Sequence, residues 1–218
     1  MLKKLTIAVL SLLLTFTMIA CGESGGIGGK DGFTVKIDQN NEYGKYLTLS
    51  ETRTFESSVK GLNYAAVGGI SDTSKNSLPG DLDGDNGGKH HGKNYLAFTF
   101  FLKNTGKNNL SCRYEFFLSE MTNNIQDALR VRVYINNDGE YNDGVDYAEV
   151  ASNGQPEPET KAFLTESIVT AAVLDLQPDG IKRFTIVIWL EGDDPDCTDD
   201  ILGGEVAFKM DLSVLSMG

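Results

Sequence analysis

From Phe33 onward, apolar residues recur with a period of two rather than 3.6, the signature of strands with one face turned inward. In residues 95–102 (YLAFTFFL), Leu96, Phe98, Phe100 and Leu102 share one face, and the opposite face is also mostly apolar. That pattern predicts a central strand covered on both sides. Cys112, Tyr114, Phe116 and Leu118 alternate with Arg113 and Glu115, and Val131, Val133 and Ile135 with Arg130, Arg132 and Tyr134. Phe184, Ile186, Ile188 and Leu190 alternate with Thr185, Val187 and Trp189, while Val206, Phe208, Met210 and Leu212 alternate with Ala207, Lys209, Asp211 and Ser213. Trp189, mid-strand in an apolar run, is expected in the core. Weaker strands are predicted at 33–37, 52–57, 147–150 and 168–174.

Turn signals separate these runs: Asn104-Thr-Gly106, Asn137-Asp-Gly139, Asp143-Gly144, Asn153-Gly154, Pro178-Asp-Gly180 and Gly203-Gly204. About nine strands punctuated in this way predict an all-β fold, an antiparallel β-sandwich over residues 33–218. Helix is confined to short turns near 123–129 and 196–202. Residues 60–93 and 153–160 are expected to be loops.

The first 32 residues belong to a different regime. Lys3 and Lys4 precede an uncharged, largely apolar run of 16 residues, Leu5 to Ala20, which is shorter than the about 20 needed to span a bilayer. Residues 1–20 therefore read as a signal peptide. The run ends Met18-Ile19-Ala20-Cys21, which resembles the bacterial lipobox. That resemblance implies cleavage before Cys21, a diacylglyceryl cysteine with further acylation such as palmitate, and a lipoprotein on the extracytoplasmic face of the cell membrane; an ordinary secretory signal followed by a chance Cys is the alternative. Six of the eleven residues after Cys21 are Gly, so 21–32 read as a flexible tether with a reach of about 18 Å.

Three cysteines are an odd number for an exported chain. With Cys21 lipidated, Cys112 and Cys197 are left to form a disulfide, which would be worth roughly 4–5 kcal/mol for so long a loop; two buried thiols are the alternative.

Charge narrows the partners. The chain carries 19 basic and 31 acidic residues, net −12, and loss of residues 1–20 removes two lysines, leaving −14. Such a surface argues against nucleic acid as a partner. It also leaves membrane attachment to the lipid rather than to a basic patch.

Candidate chemistry lies in acidic loops. Asp81-Leu-Asp83-Gly-Asp85-Asn86-Gly87 begins like an EF-hand but places Asn86 and Gly92 where Gly and Glu are required. The loop with Asp138, Glu140 and Asp143, and the loop with Asp193, Asp194 and Asp196, are rich in oxygen ligands and are candidates for calcium, which takes six to eight oxygens. Solvated acidic loops with Asx turns are the plain alternative. His90 and His91 are adjacent, a poor arrangement for one tetrahedral zinc, and read as an exposed basic loop. There is no G-x-S-x-G, H-E-x-x-H or phosphate-binding loop. The expectation is a protein that is not an enzyme and requires no cofactor.

The stretches Asn94-Tyr-Leu-Ala-Phe-Thr-Phe-Phe-Leu-Lys-Asn-Thr-Gly106 and Ile188-Trp-Leu-Glu-Gly-Asp-Asp-Pro-Asp-Cys-Thr-Asp-Asp-Ile-Leu-Gly-Gly204 resemble the Gram-positive surface proteins related to TasA and camelysin, over roughly residues 94–213. The resemblance implies a jelly-roll-like sandwich, export and a place in the extracellular biofilm matrix. It implies partners that are further copies of the chain or other matrix proteins. One departure is the lipobox, since familiar members are released rather than anchored. Another is the lack of a metal-ligand motif, so the metallopeptidase activity attributed to camelysin is not carried over. The leading expectation is a lipid-anchored extracellular protein with a structural, adhesive or matrix-assembly role. The alternative is a calcium-dependent carbohydrate- or peptide-binding module, with Tyr141 and Tyr147 beside an acidic loop as candidate contacts.

Overall fold

The computed structural model describes residues 25–26, 32–65, 69–84, 87–137, 139–163 and 166–218. Residues 1–24, with Cys21, lie outside the described residues, as do Asp85, Asn86 and Asp138. The strands are β1 (Gly25–Gly26), β2 (Phe33–Ile37), β3 (Leu47–Ser50), β4 (Gly61–Tyr64), β5 (Gly69–Ile70), β6 (Gly88–Lys89), β7 (Leu96–Asn104), β8 (Leu110–Met121), β9 (Leu129–Asn137), β10 (Val145–Glu149), β11 (Lys161–Phe163), β12 (Ser167–Leu176), β13 (Ile181–Leu190) and β14 (Val206–Met217). A seven-stranded sheet runs β11-β10-β9-β13-β7-β3, with β6 also pairing β7, and packs on a five-stranded sheet, β12-β8-β14-β2-β4. The all-β sandwich is as the alternation predicts.

Most pairings are antiparallel, but β2 lies parallel to β14 and β11 parallel to β10, so both sheets are mixed. The expected helical turns near 123–129 and 196–202 are single 3₁₀ turns, Ile125–Asp127 and Asp199–Ile201. The strand expected at 52–57 does not form. The chain turns there, with Phe55 at φ 53°, and pairing belongs instead to the more apolar Leu47–Ser50. Gly25–Gly26, within the expected tether, pairs antiparallel with Gly69–Ile70.

The main core lies between the sheets. Phe98, Phe100, Phe184, Ile186 and Ile188 from one sheet meet Phe33, Tyr114, Phe116, Phe208 and Met210 from the other. Phe100 and Phe184 stack with centroids 5.0 Å apart at 5°. Tyr114 meets Phe184 edge-on across the two sheets at 5.8 Å, a favoured aromatic geometry.

The other face of β13 is buried as well. Val187 and Trp189 join Ala97, Tyr134 and Leu82 in a second cluster outside the seven-stranded sheet, closed by Leu78 and Tyr95. Trp189 is buried in this layer rather than between the sheets. The loop ahead of β7 thus acts as a lid, explaining why β7 and β13 are apolar on both faces.

The Cys112–Cys197 disulfide does not form. Cys112 is a free, buried thiol, pushed up to about 12 by burial and by nearby Asp175. It sits near the start of β8, opposite Val214. Cys197 lies between β13 and β14, near the far end of β8, and the nine residues from Cys112 to Met121 span about 30 Å of strand. No disulfide tolerates such a separation.

Phe184→Ala should cost about 3–5 kcal/mol, whereas Val173→Ala, at an exposed position, should change stability by less than about 0.5 kcal/mol. Urea unfolding of both variants checks this. A Phe184→Ala cost below about 1 kcal/mol would contradict the inter-sheet packing.

Candidate functional site

Alternation along β9 and β13 places Arg130, Arg132, Tyr134 and Asn136 beside Arg183, Thr185, Val187 and Trp189 on the outer face of the seven-stranded sheet. Water does not cover this face. Arg130 is 4% exposed and Arg183 1%. A guanidinium is kept charged at any ordinary pH, so each one buried here requires an anionic partner.

Each finds its partner in a different segment. Arg130 bonds Asp194, in the loop after β13, and Glu157 at 3.2 Å, in the loop before β11. Arg132 grips both oxygens of Asp146 on β10, with Nη2 donating to Oδ2 at 2.8 Å, the bidentate geometry that suits a planar fork. Arg183 donates at 3.0 Å to Asp83, in the loop before β6, and Asn136 donates to the same carboxylate oxygen. Lys75 adds contacts to Asp146 at 3.1 Å and Glu159 at 3.0 Å. Trp189 Nε1 donates to Glu191 at 3.0 Å, and the Arg132 guanidinium lies 5.5 Å over the indole.

These pairs tie three loops onto the sheet and brace β10 against β9, and a groove opens between them. Its larger part, about 780 Å³, is walled by the loops around Lys75, Asp81 and Gly84, the segment Tyr141–Asp146, and Glu159–Lys161. A smaller part of about 280 Å³ reaches Arg130, Glu157, Asp193 and Asp194. The two share Lys75, Asp146 and Thr160, so they adjoin. Gly144 makes the close approach possible: φ is +71°, and a Cβ would fall 2.9 Å from the Tyr134 ring.

The carboxylates differ in how they are held. Burial raises Asp146, but Arg132 and Lys75 outweigh it and hold the group below the usual carboxylate range. Asp83 goes the other way, because burial outweighs Arg183 and Asn136. Asp127, Glu149 and Glu157 are all raised, first by burial and then by neighbouring carboxylates: Asp196 and Asp194 for Asp127, Asp127 for Glu149, and Asp194 for Glu157.

The six calcium candidates do not come together as one set. Asp194 and Asp196 lie with Glu157, whose ligand oxygens are all within 4.8 Å of one another. Arg130 already occupies this cluster, bonding Asp194 and Glu157, so a guanidinium stands where a cation would. Asp193 lines the smaller part of the groove and Asp143 the larger. Glu140 accepts from Asn137 Nδ2, and Asp138 lies outside the described residues. His90 and His91 are half-buried rather than exposed. His90 Nε2 meets Thr99 Oγ1 at 2.9 Å, and His91 Nδ1 accepts from the Ala97 amide. Burial lowers both imidazoles, which favours the neutral form. Of the two candidate tyrosines, Tyr147 is buried and Tyr141 is 62% exposed.

Compared with known families, curated proteins and solved structures, the chain matches none. The groove is therefore read from its own chemistry. Arg130 and Arg132 line it, Arg183 braces its wall through Asp83 and Tyr141, and the role of the first two was hidden because arginine alternating with valine reads as a solvent-facing side. The available signal was the strand beside them: β13, which pairs with β9, carries Val187 and Trp189 on the same face as the arginines.

Two outcomes follow from the acidic end. An acid raised in the folded state binds its proton more readily there than in the unfolded chain, so Asp127, Glu149 and Glu157 add stability as pH falls from 7. Asp146, held low, loses its contribution only at still lower pH. Stability should therefore rise as pH falls from 7 toward the ordinary carboxylate range and turn down below it, and Asp127→Asn should raise it at pH 7 and flatten the profile. Denaturant titrations across pH read this, and a wild-type maximum above pH 7 would contradict it. Arg130→Met should cost about 3–5 kcal/mol by stranding the acids, and millimolar calcium should restore part of that loss while leaving the wild-type melting temperature unmoved. A calcium shift of the wild type alone would show that Arg130 does not take the cation's place.

Proposed function

We propose that this chain is a non-enzymatic, lipid-anchored protein of the bacterial envelope, held to the membrane through Cys21 and adhesive through the groove outside its seven-stranded sheet. The observation that carries the adhesive part is that groove of two adjoining parts, walled by loops that ion pairs fix in place. A surface assembled before its ligand arrives loses little ordering entropy on binding. Binding rather than catalysis fits the state of the groove's polar groups. Asp146 and Asp83 are committed to arginines, and neither histidine lines the walls. Calcium is not required in this reading.

A second reading, matrix assembly by strand addition, is favoured by β12. It ends the five-stranded sheet, its first eight residues carry no charge, and Val173 is 61% exposed. A long uncharged edge is a template for another strand, and the resemblance to TasA and camelysin points the same way.

The anchor is tested by intact mass of the membrane-extracted native protein. Residues 21–218 plus diacylglycerol and acyl chains are expected, and an unlipidated species in the medium would overturn the anchor. For adhesion, the full chain in detergent is tested for retention on isolated bacterial envelope. Asp81→Arg, at the mouth of the groove, should reduce retention about tenfold, the equivalent of one lost contact of about 1.4 kcal/mol, with Val173→Lys unchanged. If Val173→Lys alone abolishes retention and self-association, strand addition replaces the groove as the contact.

A further inference from the structure

Among the described residues, Tyr141 is the one large aromatic side chain that the groove leaves open. Its ring is 62% exposed, and the buried Arg183 guanidinium lies 4.6 Å beneath its centroid. Arg183 is itself fixed by Asp83 and by the Glu140 carbonyl, to which it donates at 3.0 Å. An aromatic plane pinned from below by a buried cation presents one free face at a set height. Exposed aromatic faces of this kind take flat, CH-rich surfaces. Both faces of the ring are negative, but the Arg183 charge beneath repels a second cation on the free face, which therefore gains less. A sugar ring, which contacts through C–H groups, keeps its gain.

Charge selects among sugars. The larger part of the groove is lined by five carboxylates and three cationic groups, and the smaller part adds four carboxylates and one guanidinium. Among the described residues, Asp81, Asp143 and Asp193 make no ion pair, so three free carboxylates are spread along the groove with Lys161 the opposing ammonium. Phosphorylated or uronic sugars would be repelled, whereas protonated amines would find partners. Two adjoining compartments also favour a chain of several units over a monosaccharide.

We infer that the groove binds an amino-sugar oligosaccharide with free amines, one sugar ring stacked on Tyr141 and its neighbours' ammonium groups facing Asp81 and Asp143. This deepens the adhesive reading and rests on it.

The test is calorimetry of the full chain in detergent with three probes: a glucosamine hexamer, an N-acetylglucosamine hexamer and hexalysine. The glucosamine hexamer is expected to bind, the acetylated one about tenfold more weakly, and the glucosamine affinity should fall as salt rises from about 50 to about 300 mM. Tyr141→Ala should weaken binding about tenfold and Tyr141→Phe should retain it, with melting unchanged in Tyr141→Phe, which keeps the ring over Arg183, and lowered by a few degrees at most in Tyr141→Ala. Equal binding by Tyr141→Ala overturns the stacking, and equal binding of the acetylated hexamer overturns the role of the amines. If hexalysine binds more tightly than glucosamine, and Asp81→Arg abolishes it, the ligand is a basic peptide: the sugar inference fails while the adhesive groove stands. If no probe binds and Asp81→Arg leaves envelope retention intact, both fail.

Discussion

Arg130, Arg132 and Arg183 stand on one face of the seven-stranded sheet, and none can shed its charge to escape burial. The arrangement of the segments that cover that face follows from this constraint. The carboxylates that satisfy them come from the loop before β6, from β10, from the loop before β11 and from the loop after β13. Four separate segments are thus fixed relative to one another and to the sheet. Buried ion pairs of this kind are poor sources of net stability, because desolvation consumes most of the attraction. What they supply here is position, and the groove is the space those positioned segments leave between them.

Stability comes from the other side of the same strands. Phe98, Phe100, Phe184 and Ile186 face the second sheet in a close-packed aromatic core, where the hydrophobic effect is largest. The sandwich divides its labour by face: apolar packing inward, guanidinium–carboxylate geometry outward. The small cluster around Trp189 and Leu82 joins the two, since it seals the lid loop that also brings Asp83 to Arg183. A change in the lid would therefore be felt in both the ion pairs and the groove.

Much of the sandwich was legible in the sequence because strand alternation is a local property. Cys112 to Leu118 and Val206 to Leu212 bury as their period of two requires. The parallel β2–β14 pairing was not legible, because it joins segments about 170 residues apart and leaves no local mark. The Cys112–Cys197 pairing failed for the same reason: counting cysteines says nothing about which end of a strand each occupies. The site was half legible. The acidic loops stood out, but the residue that organises each of them, an arginine on a distant strand, did not. Calcium was a natural expectation for loops so rich in carboxylates, and at the Asp194 cluster it is Arg130 that supplies the positive charge. Tyr141 was visible beside its acidic loop, though only the fold separates it from the buried Tyr147.

The central claim is that the groove framed by the three arginines is the surface by which this protein meets the envelope. Hydrogen–deuterium exchange of the full chain, free and bound to isolated envelope, tests it most directly, because it maps contact without assuming a ligand. The account predicts new protection in residues 75–84 and 139–161, with β12 unchanged. Protection confined to β12, with the groove exchanging as in the free protein, would contradict it.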